Sequence, residues 1–267
     1  MTSAGIGTVF DSAATQYAEI SPLLWDPIGA ATVAAAAIGS GARVLDVCCG
    51  AGASAVPAAR AAGPHGHVDA VDLAAELLAH GRRRAAAEGL GNVRFVRADA
   101  TTWRDGPYDV VQCVHGVFFL PDMDASVTRL AGLLRPGGRL VVTTWGRGAM
   151  ESFGRLFAEA VAHVRQAPVA PPTGRQAATR IDTEEDLHAW LAARGLTRVT
   201  VTRFPLRLPL DAALAWQVVL GSGFRGMLTG LPDPAAGQVR AAFGRLLDER
   251  GMAELDATSL IGAGTRP

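Results

Sequence analysis

A doubly wound α/β fold, with a mostly parallel sheet and helices on both faces, is predicted by three features of this 267-residue chain. Short apolar runs near residues 44–47, 67–71, 93–96 and 108–114 alternate with helical stretches, the pattern of parallel strands joined by crossover helices. The first run ends in Gly50 and Gly52 and leads into an Ala-rich helix. In such a strand–turn–helix unit a ligand approaches the main chain at the glycines, and the helix N-terminus presents unpaired N–H groups. Finally, an acid stands at the ends of three successive strands: Asp46, Asp72 and Asp99.

Composition narrows the classes. At 27.7 kDa the chain suits one α/β domain with embellishments. Net charge is zero, and all 25 basic residues are arginines scattered along the chain. This excludes catalytic lysine chemistry and argues against a nucleic-acid surface, which needs a basic stripe. No basic segment leads into an apolar stretch at the N-terminus, and the apolar run at Ala30–Ile38 is far short of the ~20 residues of a membrane span. Three cysteines, two of them adjacent, form neither a disulfide framework nor a metal spacing, so a reduced, cytoplasmic protein is expected.

Taken in order, residues 1–40 read as a helical arm, with Phe10–Ile20 and Leu23–Ile38 interrupted at Ser21-Pro22 and again marked at Pro27. Its large side chains Phe10, Tyr17 and Trp25 either pack the arm onto the domain or close over a ligand. Val44, Leu45 and Val47 form the first strand, and the helix beyond the glycines runs to about Ala62. A pyrophosphate seat would require G-x-G-x-x-G, but Ala55 occupies the third position. Asp46 would also repel a pyrophosphate, whereas it suits an ammonium or sulfonium centre. His67–Val71 forms the next strand, ending in Asp72, 20 residues past Gly52. An acid there accepts hydrogen bonds from both ribose hydroxyls of a nucleoside, or caps the helix Ala74–Glu88. Val93–Val96 leads to Asp99-Ala100, and Tyr108–His115 forms the fourth strand. After the loop Gly116-Val117-Phe118-Phe119-Leu120-Pro121-Asp122, a helix runs to about Leu134. Pro136-Gly137-Gly138 ends it and turns into a strand reaching Thr144.

Beyond Trp145 the expected elements are a helix at Glu151–Arg165 and a three-proline loop at Ala167–Thr179. A helix with an acidic first turn follows at Thr183–Arg194, then a strand at Thr197–Phe204. Two helices occupy 211–250, separated by Gly230–Pro234, and a last strand covers Thr258–Ala263. Trp216, Phe224 and Met227 either pack in the core or cap a site.

Residues 40–146 resemble the class I S-adenosylmethionine (SAM)-dependent methyltransferases throughout, nearest to the UbiE-like and related small-molecule enzymes. Asp46-Val47-Cys48-Cys49-Gly50-Ala51-Gly52 is similar to motif I, D/E-x-G-x-G-x-G, with Cys48 in place of the first glycine. Tyr108-Asp109-Val110-Val111 is similar to motif IV, and Leu134-Arg135-Pro136-Gly137-Gly138 to the L-[RK]-P-G-G that precedes the fifth strand. The resemblance implies a single domain over 1–267 with a Rossmann-like seven-stranded sheet whose last strand is antiparallel. Within it, 1–40 would be an N-terminal lid, 41–146 the SAM-binding core, and 147–267 the remainder with a helical cap at 211–250. It implies SAM as cofactor, S-adenosylhomocysteine as product, and cofactor contacts at Tyr17, Asp46, Cys48, Gly50, Gly52, Asp72, Leu73, Asp99, Ala100 and Val114. Asp99 would accept from the adenine amine, and the Ala100 N–H would reach a ring nitrogen.

Methyl transfer from a sulfonium is an in-line displacement that needs no metal; it needs positioning and, for some acceptors, removal of a proton. His115 is the one histidine expected at the catalytic edge. With an ordinary pKa near ~6.5 it is a candidate general base, or else it packs beside the cofactor or hydrogen-bonds the substrate. Trp25, Phe118, Phe119, Trp145 and Trp216 would make the acceptor pocket apolar. No Asn/Asp-Pro-Pro-Tyr follows the fourth strand, which argues against methylation of adenine or glutamine amines. The expected activity is therefore O- or N-methylation of a small hydrophobic or aromatic metabolite in secondary metabolism. The alternatives are a quinone C-methyltransferase, whose Gly-Leu-Arg-Asn-Val loop is absent here, a SAM-binding protein without methyl transfer, and, more distantly, an NAD enzyme. Neither nucleic acid nor membrane is an expected partner, and both monomer and homodimer remain open.

Overall fold

The computed structural model describes residues 3–169 and 174–267. The chain opens with α1 (Ser3–Ile20) and α2 (Trp25–Ala36), then alternates β1 (Arg43–Val47), α3 (Ala55–Ala62), β2 (His67–Asp72), α4 (Ala75–Ala87) and β3 (Val93–Arg97). Next come β4 (Tyr108–Val114), α5 (Met123–Gly132) and β5 (Leu134–Trp145). The second half contains α6 (Glu151–Arg165), α7 (Arg175–Ala178), α8 (Glu184–Ala192), β6 (Thr197–Phe204) and β7 (Arg207–Pro209). It closes with α9 (Ala212–Leu220), α10 (Asp233–Glu249), β8 (Glu254–Asp256) and β9 (Ser259–Thr265).

Seven strands form one sheet in the order β3-β2-β1-β4-β5-β9-β6, with β9 antiparallel to both neighbours. Val44 of β1 pairs with Val68 on one side and Val110 on the other. The chain therefore runs outward from β1 through β2 to β3, then returns to place β4 on the opposite side. That reversal leaves a crevice at the carboxyl ends of β1 and β4. Val44, Leu45 and Val47 are fully buried because helices cover both faces of the sheet, which is why β1 reads as a nearly continuous apolar run.

The arm is built into the domain. Ile28 of α2 is fully buried, and Thr32 of the same helix hydrogen-bonds its hydroxyl to that of Thr143 on β5 at 2.7 Å. At the start of α2, Asp26 accepts from Ser21 Oγ at 2.7 Å and from Arg84 of α4 at 2.9 Å. On α1, Asp11 accepts the Glu76 N–H of α4 at 2.9 Å, and Ser12 accepts from Arg225 at 2.9 Å.

Differences from the sequence reading lie in the second half. The expected loop at Ala167–Thr179 contains the short helix α7, followed by a 3-10 turn at Thr179–Ile181; residues 170–173 of that loop lie outside the described residues. Residues 211–250 hold a 3-10 stretch, Gly223–Leu228, between two helices. Strands β7 and β8 pair with each other (Leu208 opposite Leu255) and escape sequence reading, because three residues are too few to show alternation. Pro136–Gly138 lie within β5, where the β4 pairing skips from Leu134 to Arg139, so the proline–glycine turn is accommodated as an irregularity of the strand.

Helix α2 approaches the β1–α3 turn so closely that a Cβ on Gly29 would stand 2.3 Å from the Ala53 carbonyl oxygen. Gly29→Ala is expected to lower stability by about 1–3 kcal/mol, read from urea unfolding, because backbone atoms must separate. A neutral effect would show that α2 is free to shift.

Candidate functional site

A cavity of about 260 Å³ opens at the carboxyl ends of β1, β2 and β4, roofed by the N-terminal helices. The turn after β1 forms its floor. Gly50 has a positive φ of 53°, and a Cβ there would lie 2.9 Å from the Tyr17 hydroxyl oxygen, so a side chain would be strained on both counts. Asp72 at the end of β2 fixes this turn: one carboxylate oxygen accepts the Gly50 N–H at 2.9 Å and the other accepts the Ala74 N–H at 2.9 Å. It does not cap α4, whose N-cap is Ala74. Burial raises the Asp72 pKa above the ordinary carboxylate value. Each carboxylate oxygen can accept more than one hydrogen bond, so the side chain retains capacity toward the cavity it borders. Asp99, after β3, accepts the Thr101 N–H at 2.8 Å and the Thr101 hydroxyl at 2.7 Å on one oxygen, and borders the cavity with Ala98 and Ala100. Leu73, Cys48 and Val114 complete this side.

The opposite side is aromatic. Tyr17 stacks on Trp25 with ring centroids 5.1 Å apart, and Trp145 stacks on His115 at 3.7 Å. Trp25 stands 6.2 Å from Trp145, Phe118 4.8 Å from Phe119, and Phe10 5.6 Å from Phe119. Burial, with Asp72 nearby, pushes the Tyr17 phenol well above its usual pKa, so it stays neutral.

His115 immediately follows β4 and is held at φ 49°, a left-handed conformation uncommon outside glycine. Its N–H donates to Thr143 O at 2.9 Å, and its Nε2 lies 3.0 Å from Ser259 Oγ on β9. Nδ1 is buried with no hydrogen-bond partner among the described residues. Burial lowers the imidazole pKa to about 3, which corrects the expectation of a group titrating near ~6.5. The ring is neutral throughout the physiological range. Cys48, at φ 57°, is the corresponding outlier after β1, where the resemblance expects a glycine. Backbone strain of this kind, on the order of 1–3 kcal/mol per residue, gathers at functional sites.

Three residues assigned to the site from sequence do not border the cavity. Asp46 is fully buried beneath the turn, where one oxygen accepts from Ser54 Oγ at 2.7 Å and Gln112 Nε2 at 3.0 Å. It braces the start of α3 against β4 rather than facing a ligand, and burial raises its pKa to about 7. Gly52 faces Phe95 and Val56. Trp216 packs beside Phe157, with ring centroids 6.5 Å apart, inside the C-terminal helical cluster. Phe224 of that region reaches the cavity instead. Sequence reasoning missed Ser259, 144 residues from His115, and the Glu151–Arg175 pair at 3.4 Å between α6 and α7, both of whose residues border the cavity. No local pattern signals either one. Among the described residues no cluster of His, Cys, Asp or Glu is placed to hold a metal ion, and no helix is long and apolar enough to cross a membrane.

Residues 44–138 match the family described as a methyltransferase domain. The matched span takes in β1 to β4 and the glycine turn, so over these residues the chain is similar to methyltransferases. Among curated relatives, the uncharacterized protein Rv1405c of Mycobacterium tuberculosis is 38% identical over 143 residues, covering 53% of this chain and 50% of that protein. Aklanonic acid methyltransferase DauC of a Streptomyces species is 33% identical over 137 residues, 51% of this chain and 62% of DauC. The ubiquinone/menaquinone biosynthesis C-methyltransferase UbiE of Hahella chejuensis is 32% identical over 152 residues, 53% of this chain and 60% of UbiE. The chain thus spans about half the length of Rv1405c and less than two thirds of the other two. Among solved structures, the [4+2]-cyclase SpnF shares the fold with a TM-score of 0.63 at 19% identity, over 100% of this chain and 97% of that one. YcgJ of Bacillus subtilis shares it with a TM-score of 0.56 at 16% identity, over 90% of this chain and 98% of that one.

The buried carboxyl of Asp46 makes a pH prediction. Its folded pKa of about 7 lies above the unfolded value of 3.8, so its contribution to stability is present in acid and lost as pH rises through about 7. Between pH 5 and pH 8.5 the wild type should lose on the order of 1–4 kcal/mol relative to Asp46→Asn, measured by paired urea titrations. A pH-independent difference would show that Asp46 is ionised in the native protein.

Proposed function

We propose that the protein transfers the methyl group of SAM to an oxygen or nitrogen of a small hydrophobic, aromatic metabolite and releases S-adenosylhomocysteine. The observation that carries this reading is one cavity that joins two kinds of wall. The Gly50 turn, Asp72 and Asp99 line one part, and the neutral aromatic chamber of Trp25, His115, Phe118, Phe119 and Trp145 lines the other. The residues fit SAM: acceptor carboxylates face the position of a nucleoside, and the wall that would face a sulfonium is lined by aromatic rings, while Arg175, which also borders the cavity, is paired with Glu151. When bound, SAM would supply the electrophilic methyl carbon.

Asp72 would accept from the ribose hydroxyls on its remaining lone pairs, while its existing bonds keep the turn in place. Asp99 and the Ala100 N–H would read the adenine edge, with Tyr17, Cys48, Leu73 and Val114 closing around the nucleoside. The aromatic chamber favours a flat apolar acceptor and excludes water, which would otherwise compete for the methyl group.

His115 is too weakly basic to hold a proton taken from a neutral phenol. The acceptor changes character during the reaction, however: an oxygen that gains a methyl becomes a protonated ether, a far stronger acid than imidazolium. A neutral His115 can therefore receive that proton as the carbon–oxygen bond forms. DauC, named as an aklanonic acid methyltransferase, supports a natural-product acceptor. UbiE supports the quinone C-methyltransferase alternative, but the strand-four loop here reads Gly116-Val117-Phe118-Phe119-Leu120-Pro121-Asp122. A small-molecule acceptor, a cytoplasmic setting and no metal requirement complete the proposal.

Calorimetry should show SAM and S-adenosylhomocysteine binding and NAD failing to bind. Asp72→Ala should weaken both by about 10- to 100-fold, the loss of hydrogen bonds to a charged group. A folded Asp72→Ala protein with unchanged affinity would remove Asp72 from the site. With a panel of phenolic and aromatic amine acceptors, SAM-dependent release of S-adenosylhomocysteine should show no rate increase centred near pH ~6.5 that depends on His115. A step that is present in wild type and lost in His115→Asn would contradict the neutral imidazole. Binding of SAM without turnover on any acceptor would favour a non-methylating use of the fold.

A further inference from the structure

Resting on that reading, we infer that Ser259 is a positioning residue that holds His115 in one tautomer, with the proton on Nε2 and the Nδ1 lone pair kept as the proton acceptor. Three observations converge. Ser259 is fully buried and lies opposite Trp145 in the β5–β9 pairing, so its hydroxyl is fixed by the sheet rather than by a loop. Its Oγ is 3.0 Å from His115 Nε2 and 3.3 Å from the Ala257 carbonyl oxygen. A carbonyl only accepts, so the single hydroxyl proton of Ser259 goes to Ala257, and the oxygen must then accept the Nε2 proton.

The orphan atom gives the same answer. Nδ1 is buried without a partner among the described residues. A buried N–H without an acceptor is rarer in native proteins than an under-used acceptor, so Nδ1 carries the lone pair. Stacking against Trp145 at 3.7 Å and the backbone bond from His115 N–H to Thr143 O hold the ring in place. No solvent touches Nδ1, although the residue borders the cavity. In the proposed reaction the partner of Nδ1 would be the acceptor bound in that cavity. A proton delivered to Nδ1 gives an imidazolium that donates from both nitrogens. Its Nε2–H bond to Ser259 is retained and strengthened by the charge.

The test is a long-range ¹H–¹⁵N correlation spectrum of histidine-labelled protein near neutral pH, with His115 assigned by loss of its signals in His115→Asn. Wild type should show His115 neutral and wholly in the Nε2–H form. Ser259→Ala should raise the Nδ1–H fraction by about fivefold, the weight of one hydrogen bond, and Ser259→Thr, which keeps the hydroxyl, should return it. With an acceptor in hand, Ser259→Ala should lower kcat and leave the KM for SAM unchanged. An Nδ1–H form in wild type would overturn the assignment without any variant. A folded Ser259→Ala protein with an unaltered tautomer ratio would remove Ser259 from the role. SAM calorimetry on the same samples separates the two ideas: absence of SAM binding defeats the methyltransferase proposal, while the tautomer measurement judges Ser259.

Discussion

The site depends on one carboxylate that joins two strand ends. Asp72 finishes β2, yet its two oxygens take the N–H groups of Gly50 and Ala74, tying the turn after β1 to the segment that leads into α4. That tie adds to the turn's own backbone bonds, Gly52 N–H to Cys49 O and Cys49 N–H to Val71 O, in holding a left-handed backbone against Tyr17. The same side chain that organises the turn borders the cavity. Asp46 provides the second brace from beneath, through Ser54 and Gln112, and is sealed from the cavity. Of two acids that look alike in the sequence, one faces the ligand space and the other faces the core.

The chemistry of the aromatic chamber follows from its dryness. Burial removes charge from His115, just as it keeps the Tyr17 phenol protonated. A neutral His115 does not repel a sulfonium as a protonated one would. The cost falls on basicity, since the histidine is too weak a base to act before transfer begins. In the proposed reaction, acidity would be generated as the methyl moves, which is when so weak a base could act.

The legible part of the sequence was the alternating first half. Each of its strands is a short buried run, and its turns carry glycines and prolines whose backbone demands are local. Asp72 and Asp99 were recognisable because strand-end acids in a doubly wound sheet have few places to point. Asp46 was misjudged because alternation along a strand decides which face a side chain takes, and a strand buried on both faces hides that alternation. Trp216 and Phe224 belong to one apolar stretch and both pack against Phe157, and no local pattern marks Phe224 as the one that also borders the cavity. Ser259 reaches His115 through an antiparallel pairing across most of the chain, a contact that no local pattern encodes.

In the proposed complex, one cavity binds the nucleoside through Asp72 and Asp99 and presents the reacting sulfur to the His115–Trp145 wall. A crystal structure with S-adenosylhomocysteine would decide this. The expected result has ribose hydroxyls on Asp72, the adenine edge at Asp99 and Ala100, and the sulfur directed toward the aromatic chamber. A nucleoside bound elsewhere, or one that leaves Asp72 bonded only to Gly50 and Ala74, would contradict it.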